Sequence, residues 1–251
     1  MSIFVKENFS SNNSLLKEVQ GLRLIQKLIN DEKIEEINTP HIYKVSKTRL
    51  EIQKINSQVF TGKSMKKLGI GLAKLHKVSF EKYGLENDNY IGLSKQSNIL
   101  SDNWGEFFFE YRLLFQISLI KNSLLALEFE TILNKNRVKI ISFLNKYVDK
   151  PSLVHGDLWS GNVLVDKNEK VYLIDPSVYF AHREVDIAMT HIFGGFTKEF
   201  YEAYNEEYPL EQEFETRKEI YNLYHYLNHY NLFGSSYLGE CKKRIKLIDE
   251  M

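Results

Sequence analysis

Apolar residues recur at three- and four-residue steps through Leu15, Val19, Leu22, Ile25 and Ile29, which predicts an amphipathic helix over residues 14–29. A short run at 3–6 predicts a strand ahead of it. Residues 41–45 and 49–55 read as two further strands, joined by a turn at 46–47. From Thr61 the period becomes helical again: Met65, Leu68, Leu72 and Leu75 form a stripe, with Lys63, Lys66, Lys67, Lys74 and Lys77 mostly on the solvated side. Residues 84–98 are polar and rich in turn formers, so they predict an ordered surface loop or lid.

Residues 104–120 predict an aromatic-rich helix, and 128–147 a less regular one. Short β-type runs at 163–165 and 171–174 flank Asp166-Lys167-Asn168-Glu169, which suits a hairpin. An irregular stretch to Ala181 should follow. Helices are then expected at about 184–193, 197–206, 214–231 and 236–248, with Gly194-Gly195 and Pro209 at their boundaries. The pattern predicts an α+β protein: a small antiparallel sheet with one helix over 1–58, joined to a larger, mainly helical part over 59–251.

Composition narrows the partners. The chain has 33 basic and 33 acidic residues, so no net field attracts nucleic acid or an anionic membrane. The longest apolar runs, such as 124–127, are far shorter than the ~20 residues a spanning helix needs. A single cysteine, Cys241, rules out an intrachain disulfide and a cysteine-rich metal site, and its neighbours Leu238 and Ile245 suggest a partly buried thiol. A reducing, cytoplasmic setting is the simplest expectation. The histidines show no compact zinc-ligand spacing.

Candidate chemistry concentrates in residues 153–175, LVHGDLWSGNVLVDKNEKVYLID. Two β-formers lead through Gly156 to Asp157. Asn162 follows five residues later, and Asp175 ends the returning strand. An aspartate so placed can accept the proton of an attacking hydroxyl, while an amide oxygen and a second carboxylate can hold Mg²⁺. Taken singly, each of the three also fits an ordinary turn or cap residue.

His155-Gly156-Asp157-Leu158-Trp159-Ser160-Gly161-Asn162, followed by Ile174-Asp175-Pro176, resembles the fructosamine kinase (ketosamine-3-kinase) family. The likeness extends to Asp88-Asn89-Tyr90-Ile91-Gly92, Trp104-Gly105-Glu106-Phe107-Phe108 and His182-Arg183-Glu184-Val185-Asp186-Ile187-Ala188. It continues in Phe193-Gly194-Gly195-Phe196 and in Tyr224-His225-Tyr226-Leu227-Asn228 with Asn231-Leu232-Phe233-Gly234. The resemblance implies a two-lobed, protein-kinase-like fold and ATP- and Mg²⁺-dependent phosphorylation of the 3-hydroxyl of a ketosamine, free or on a glycated amine. The product ester is unstable, so the sugar leaves and the amine is restored.

By the same resemblance, Asp157 is the catalytic aspartate, Asn162 and Asp175 hold the metal, and Asp186 braces their loop with His155 as a structural residue. Arg183 pairs with that acid or meets phosphate, the structural role ranking higher. Lys6 would reach the nucleotide phosphates and Glu18 would hold it. Leu50-Glu51-Ile52 would form the segment between the lobes that meets adenine. Trp159 could pack on a sugar face or in the core. Among His225, Asn228, His229 and Asn231, packing suits His229, and the others could equally reach the sugar.

One feature departs from the family pattern. Only Met1 to Val5 precede Lys6, and no glycine precedes Gly21, so the strands and glycine-containing loop expected ahead of the lysine strand are missing from this sequence. A truncated small lobe would expose a sheet edge, which a homo-oligomer could cover. Two alternatives therefore stand beside the ketosamine kinase: a related aminoglycoside- or choline-type kinase, and a non-catalytic kinase-like binding protein.

Overall fold

In the computed structural model, which describes residues 2–10, 12–148 and 150–251, the first helical stripe becomes α1 (Ser14–Asp31). It follows β1 (Ile3–Glu7) and precedes β2 (Ile37–Asn38), β3 (Ile42–Val45) and β4 (Arg49–Gln53). β4 is the centre of an antiparallel sheet ordered β1-β4-β3. Its alternate residues Leu50 and Ile52 pack against Leu15 and Val19 of α1, with Ile42 and Val45 alongside. Four fully buried side chains, at about 1.5–3 kcal/mol each, are too few to hold three strands and a helix alone.

The deficit is met by a second core. Ile25, Leu28 and Ile29 of α1 and Ile37 of β2 pack with Met65, Leu68 and Leu72 of α2 (Gly62–Lys77). The same cluster takes in Val163, Val165, Val171 and Leu173. Thr61 starts α2 with a reciprocal cap: its hydroxyl accepts from the Ser64 amide at 3.1 Å, and the Ser64 hydroxyl accepts from the Thr61 amide at 2.9 Å. The chain thus leaves the small sheet through residues 54–61, while the far end of α1 stays anchored in the larger part.

Residues 84–98 differ from the expected surface loop. They follow β5 (Tyr83–Gly84) and contain a hairpin, β6 (Asn89–Ile91) and β7 (Ser94–Gln96), before β8 (Leu100–Ser101). Asn89, Gln96 and Asn98 are buried and bonded to one another and to backbone, so the polar sequence reflects an internal network rather than solvation. α3 (Trp104–Phe108) then passes through a π-helical turn, Phe109–Leu114, into α4 (Phe115–Ser118). The single helix expected over 128–147 is two, α5 (Ser123–Lys135) and α6 (Arg137–Asn145), broken at Asn136, whose side chain bonds back to the Ile132 carbonyl.

Next comes β9 (Ser152–Val154), then the hairpin β10 (Val163–Val165) and β11 (Val171–Leu173), on whose edge β2 pairs in parallel. The stretch expected to be irregular after Asp175 includes β12 (Tyr179–Ala181), which pairs with both β9 and β5. Four helices complete the chain: α7 (Glu184–Thr190), α8 (Lys198–Glu207), α9 (Phe214–Phe233) and α10 (Leu238–Glu250). The main core gathers Trp104, Phe107, Phe108, Phe129, Tyr221 and Tyr224 between α3, α5 and α9. Cys241 lies fully inside it, and burial pushes its thiol up to about 12. Among the described residues, no helix is long and apolar enough to cross a membrane.

Candidate active site

β9 and β12 deliver the two acidic segments side by side, because Val154 pairs with Tyr179 and Leu153 with Phe180. Beyond β9 the chain turns at Gly156, whose φ is +80°. A side chain is excluded there twice over, since a Cβ would also sit 2.2 Å from the Ser177 carbonyl oxygen. The turn is held from beneath by Asp186 on α7. Its carboxylate accepts from the His155 amide at 2.7 Å and from the Gly156 amide at 2.9 Å.

A polar chain fixes Asp186 in turn. His76 Nε2 lies 3.2 Å from its Oδ2, and His76 Nδ1 lies 2.9 Å from the Tyr204 hydroxyl, which accepts from Arg183 at 3.2 Å. All these side chains are buried. Burial lowers the His76 pKa, so a neutral ring donates through Nε2 to Asp186 and accepts at Nδ1 from Tyr204. Burial works against the Asp186 carboxylate, but the hydrogen bonds from His76 and Gly156 outweigh it and hold its pKa low. His155 serves the same loop: Nε2 meets the Ile174 carbonyl at 2.9 Å and Nδ1 accepts from the Asp157 amide at 3.3 Å.

Asp157, Asn162 and Asp175 open onto one cleft of about 240 Å³ together with Lys6 and Glu18. The Asn162 amide donates to the Asp157 carbonyl at 2.8 Å and to its carboxylate at 3.2 Å, so its nitrogen is committed to Asp157. Asp175 has a left-handed backbone, φ +52°, which aims its carboxylate into the cleft instead of along β11. Lys6 reaches both Glu18, at 2.8 Å, and Asp175, at 3.0 Å.

One ammonium shared by two acids cannot neutralise both. Burial depresses the Lys6 pKa, but Glu18 and Asp175 more than reverse this and raise it. Glu18 is pushed up to about 7 by burial, with Lys6 opposing and Asp175 adding to the rise. Asp157 is also pushed up to about 7, by burial first, against the Asn162 hydrogen bond and with help from Asp175 and Asp186. A carboxyl poised near neutrality is suited to taking a proton from a hydroxyl.

The donor set fits Mg²⁺. One carboxylate, Asp175, and one neutral amide, Asn162, line the same cleft, and among the described residues no cluster of three or more His, Cys, Asp or Glu could enclose a metal alone. Mg²⁺ takes its remaining oxygens from water and phosphate, so an incomplete protein shell is the expected one. On the other side of Trp159, a cavity of about 420 Å³ is walled by Phe193, His229, Phe233 and Tyr237, with Asn228 as a further polar group. Asp157, Trp159 and Gly92 line both spaces, so the Asp157 carboxylate stands at the boundary between the polar cleft and the aromatic cavity.

The remaining expected residues fall elsewhere. Glu51 is not at the cleft: Leu50, Glu51 and Ile52 lie in the middle of β4, paired to β1 on one edge and β3 on the other. Their backbone groups are taken by the ladder, and the Glu51 carboxylate accepts from Arg49 at 2.9 Å. The segment joining the two parts is 54–61. Arg183 neither pairs with Asp186 nor faces the cleft; besides Tyr204 it bonds the Tyr208 and Pro209 carbonyls. His225 is buried against Tyr224, with its pKa pushed down by burial to about 3. His76 carried no sequence signal beyond a place beside Leu75 on α2, because its partners come from α7 and α8.

A family model described as fructosamine kinase matches residues 1–250. A Vibrio cholerae protein named "Probable ketoamine kinase" is 42% identical over 181 residues, covering 72% of this chain and 62% of that protein. An Enterococcus faecium protein of the same description is 35% identical over 223 residues, 88% of this chain and 77% of that one. The match thus spans less than two thirds of the length of the Vibrio relative. A crystal structure from Haemophilus somnus, of a candidate fructosamine-3-kinase, superposes with a TM-score of 0.83 at 30% identity over 98% of this chain and 83% of that one. The two-part architecture is therefore the protein-kinase-like fold, and the chain belongs to the fructosamine kinase family.

Proposed function

We propose that the cleft transfers the γ-phosphoryl group of ATP to the 3-hydroxyl of a ketosamine. The observation that carries this reading is the position of Asp157, shared by a polar cleft and an aromatic cavity that could take the acceptor. Asn162 and Asp175 would hold Mg²⁺, which when bound offsets the charge of the phosphates. Lys6, oriented by Glu18, would contact the phosphates, with residues 1–58 forming the nucleotide side and 59–251 the catalytic and acceptor side.

In the reaction, Asp157 takes the proton of the 3-hydroxyl as its oxygen bonds to the γ-phosphorus. The bond from that phosphorus to the β–γ bridging oxygen breaks, and ADP leaves. The polar cleft is small, and of its three carboxylates Glu18 and Asp175 share the Lys6 ammonium while Lys17 stands at its edge, so a bound metal would help it accept a polyphosphate. Trp159 and Phe193, 5.9 Å apart and edge to face, offer an apolar wall for a sugar ring.

The test is phosphate transfer from ATP to a fructosamine or ribulosamine, followed by ³¹P NMR, with and without Mg²⁺. Turnover that disappears in Asp157→Asn while Mg²⁺–ATP still binds is the expected result. Turnover on an aminoglycoside or choline but not on ketosamines would replace the acceptor class. Nucleotide binding without transfer to any of them would make the chain a binding protein.

A further inference from the structure

Next to the catalytic cleft along α1 lies a second cavity of about 510 Å³, twice the size of the cleft and nearly free of its chemistry. Its interior is apolar: Leu24 of α1, Leu85 and Leu100, and Val178 and Phe180 beyond Asp175. A volume of this size falls within the ~300–1,000 Å³ of ordinary small-molecule sites.

The walls are the two elements that carry the phosphate-side acids. α1 bears Glu18, and the segment beyond Asp175 forms the opposite wall. They touch at Gly21, where a Cβ would stand 3.2 Å from Pro176 Cγ and 3.3 Å from Val178 Cγ2. Beside that contact the two elements separate and the cavity opens. Asn89 lines both the cavity and the cleft, and its amide donates to the Val178 carbonyl at 2.8 Å.

Charge is distributed unevenly around this space. Lys82 at the rim is held by both oxygens of Asp102, at 2.5 and 2.6 Å. Glu81 and Glu86 are exposed at the mouth. Lys17 stands at the junction with the cleft and has no carboxylate partner among the described residues. An uncommitted ammonium beside an apolar chamber selects an anion with an apolar body.

We propose that this cavity is a regulatory site for a small amphipathic carboxylate. Its apolar body lies against Leu24, Val178 and Phe180, and its carboxylate pairs with Lys17. The cavity is formed while Lys6 is engaged with Glu18, so a ligand that fits it favours that arrangement. Occupancy therefore tightens binding of Mg²⁺–ATP, and by linkage Mg²⁺–ATP tightens the carboxylate equally. The coupling rests on the cleft's being a nucleotide site; occupancy of the cavity does not.

The test uses the full chain with 2-naphthoate as probe and uncharged 2-naphthalenemethanol as its control, with affinities from titration by NMR. Naphthoate is expected to bind more tightly than the alcohol, to weaken roughly ten-fold in Lys17→Met, and to be excluded by Leu100→Trp, which fills the chamber from its exposed wall. Lys17→Met should leave the alcohol unchanged, which separates loss of charge from loss of fold. Saturating naphthoate should lower the Mg²⁺–ATP dissociation constant about five-fold.

Naphthoate binding that is indifferent to both substitutions would overturn the site. Binding that responds to both substitutions while the Mg²⁺–ATP affinity stays the same would overturn the regulation. If Mg²⁺–ATP does not bind at all, the nucleotide reading of the cleft fails, and the coupling with it. The Lys17 and Leu100 responses would still decide the cavity.

Discussion

Replacing Asp157 by Asn should stabilise the protein in the absence of metal and nucleotide, by an amount that grows with pH. Burial holds this carboxyl up to about 7, against ~3.9 in an unfolded chain. A raised folded pKa means that its contribution is fully present below the unfolded value and is lost as pH rises through the folded one. Below about pH 4 both states are protonated; above about pH 7 the native state must carry a buried charge that the unfolded chain carries in water. At about 1.4 kcal/mol per pKa unit, the total cost is about 4 kcal/mol, of which about 2–3 kcal/mol falls between pH 5 and pH 8.

Asn removes that ionisation while keeping the side chain's shape and an oxygen able to accept from Asn162. Glu18 carries a similar upward shift, but it is present in both proteins and largely cancels in the difference. For a chain of this length, about 2–4 °C accompanies each kcal/mol, so the advantage of the variant should widen by about 5–10 °C between pH 5 and pH 8. Thermal unfolding of both proteins followed by circular dichroism, at three pH values without Mg²⁺, measures it. A difference in melting temperature that is flat or shrinks with rising pH would refute the argument that burial dominates this carboxyl.

Other consequences can be measured separately. With ketosamine as acceptor, kcat/KM should rise with pH through about 7 as Asp157 loses its proton, and the pH profile of the metal-free protein's stability should fall over the same range. Removing the His76 ring by His76→Ala takes a donor from buried Asp186; kcat should fall roughly ten-fold or more while KM for ATP changes little, and His76→Gln, which can replace the Nε2 donor, should recover part of the loss. An equal fall for both variants would make His76 a packing residue only. Arg217→Met strands Glu184, whose side chain and partner are both fully buried, at a cost of about 3–5 kcal/mol read as a large drop in melting temperature. Glu18→Gln should raise the dissociation constant of Mg²⁺–ATP by titration while leaving the melting temperature above pH 7 unchanged or higher, since a buried acid is removed. A lower melting temperature there would show that the Lys6 pairing outweighs burial.

Local pattern determined much of this protein. The stripes at Leu15–Ile29 and Met65–Leu75 become α1 and α2, and the alternation in 163–174 becomes the β10–β11 hairpin. Asp157, Asn162 and Asp175 could be nominated because their spacing along strand, turn and strand is itself local. What periodicity could not supply was any feature whose partner lies far along the chain. The polar run 84–98 looked solvated because its hydrogen-bond partners, Ser177, Val178 and Tyr224, are more than eighty residues away.

β12 has no local signature for the same reason: three residues make a strand only when β9 and β5 are already beside them. Glu51 lies in β4 and not in the connector; a short apolar run reads alike in a central strand and in the segment that follows it. His76 gave no signal, since its role depends on Asp186 and Tyr204 converging from two later helices. Sequence alone thus determined most of the helices and the β10–β11 hairpin, and it nominated the candidate side chains. Tertiary structure decided which carboxylates share a cleft, which of them burial drives toward neutrality, and where space remains beside α1, because burial and long-range pairing exist only once the elements have packed.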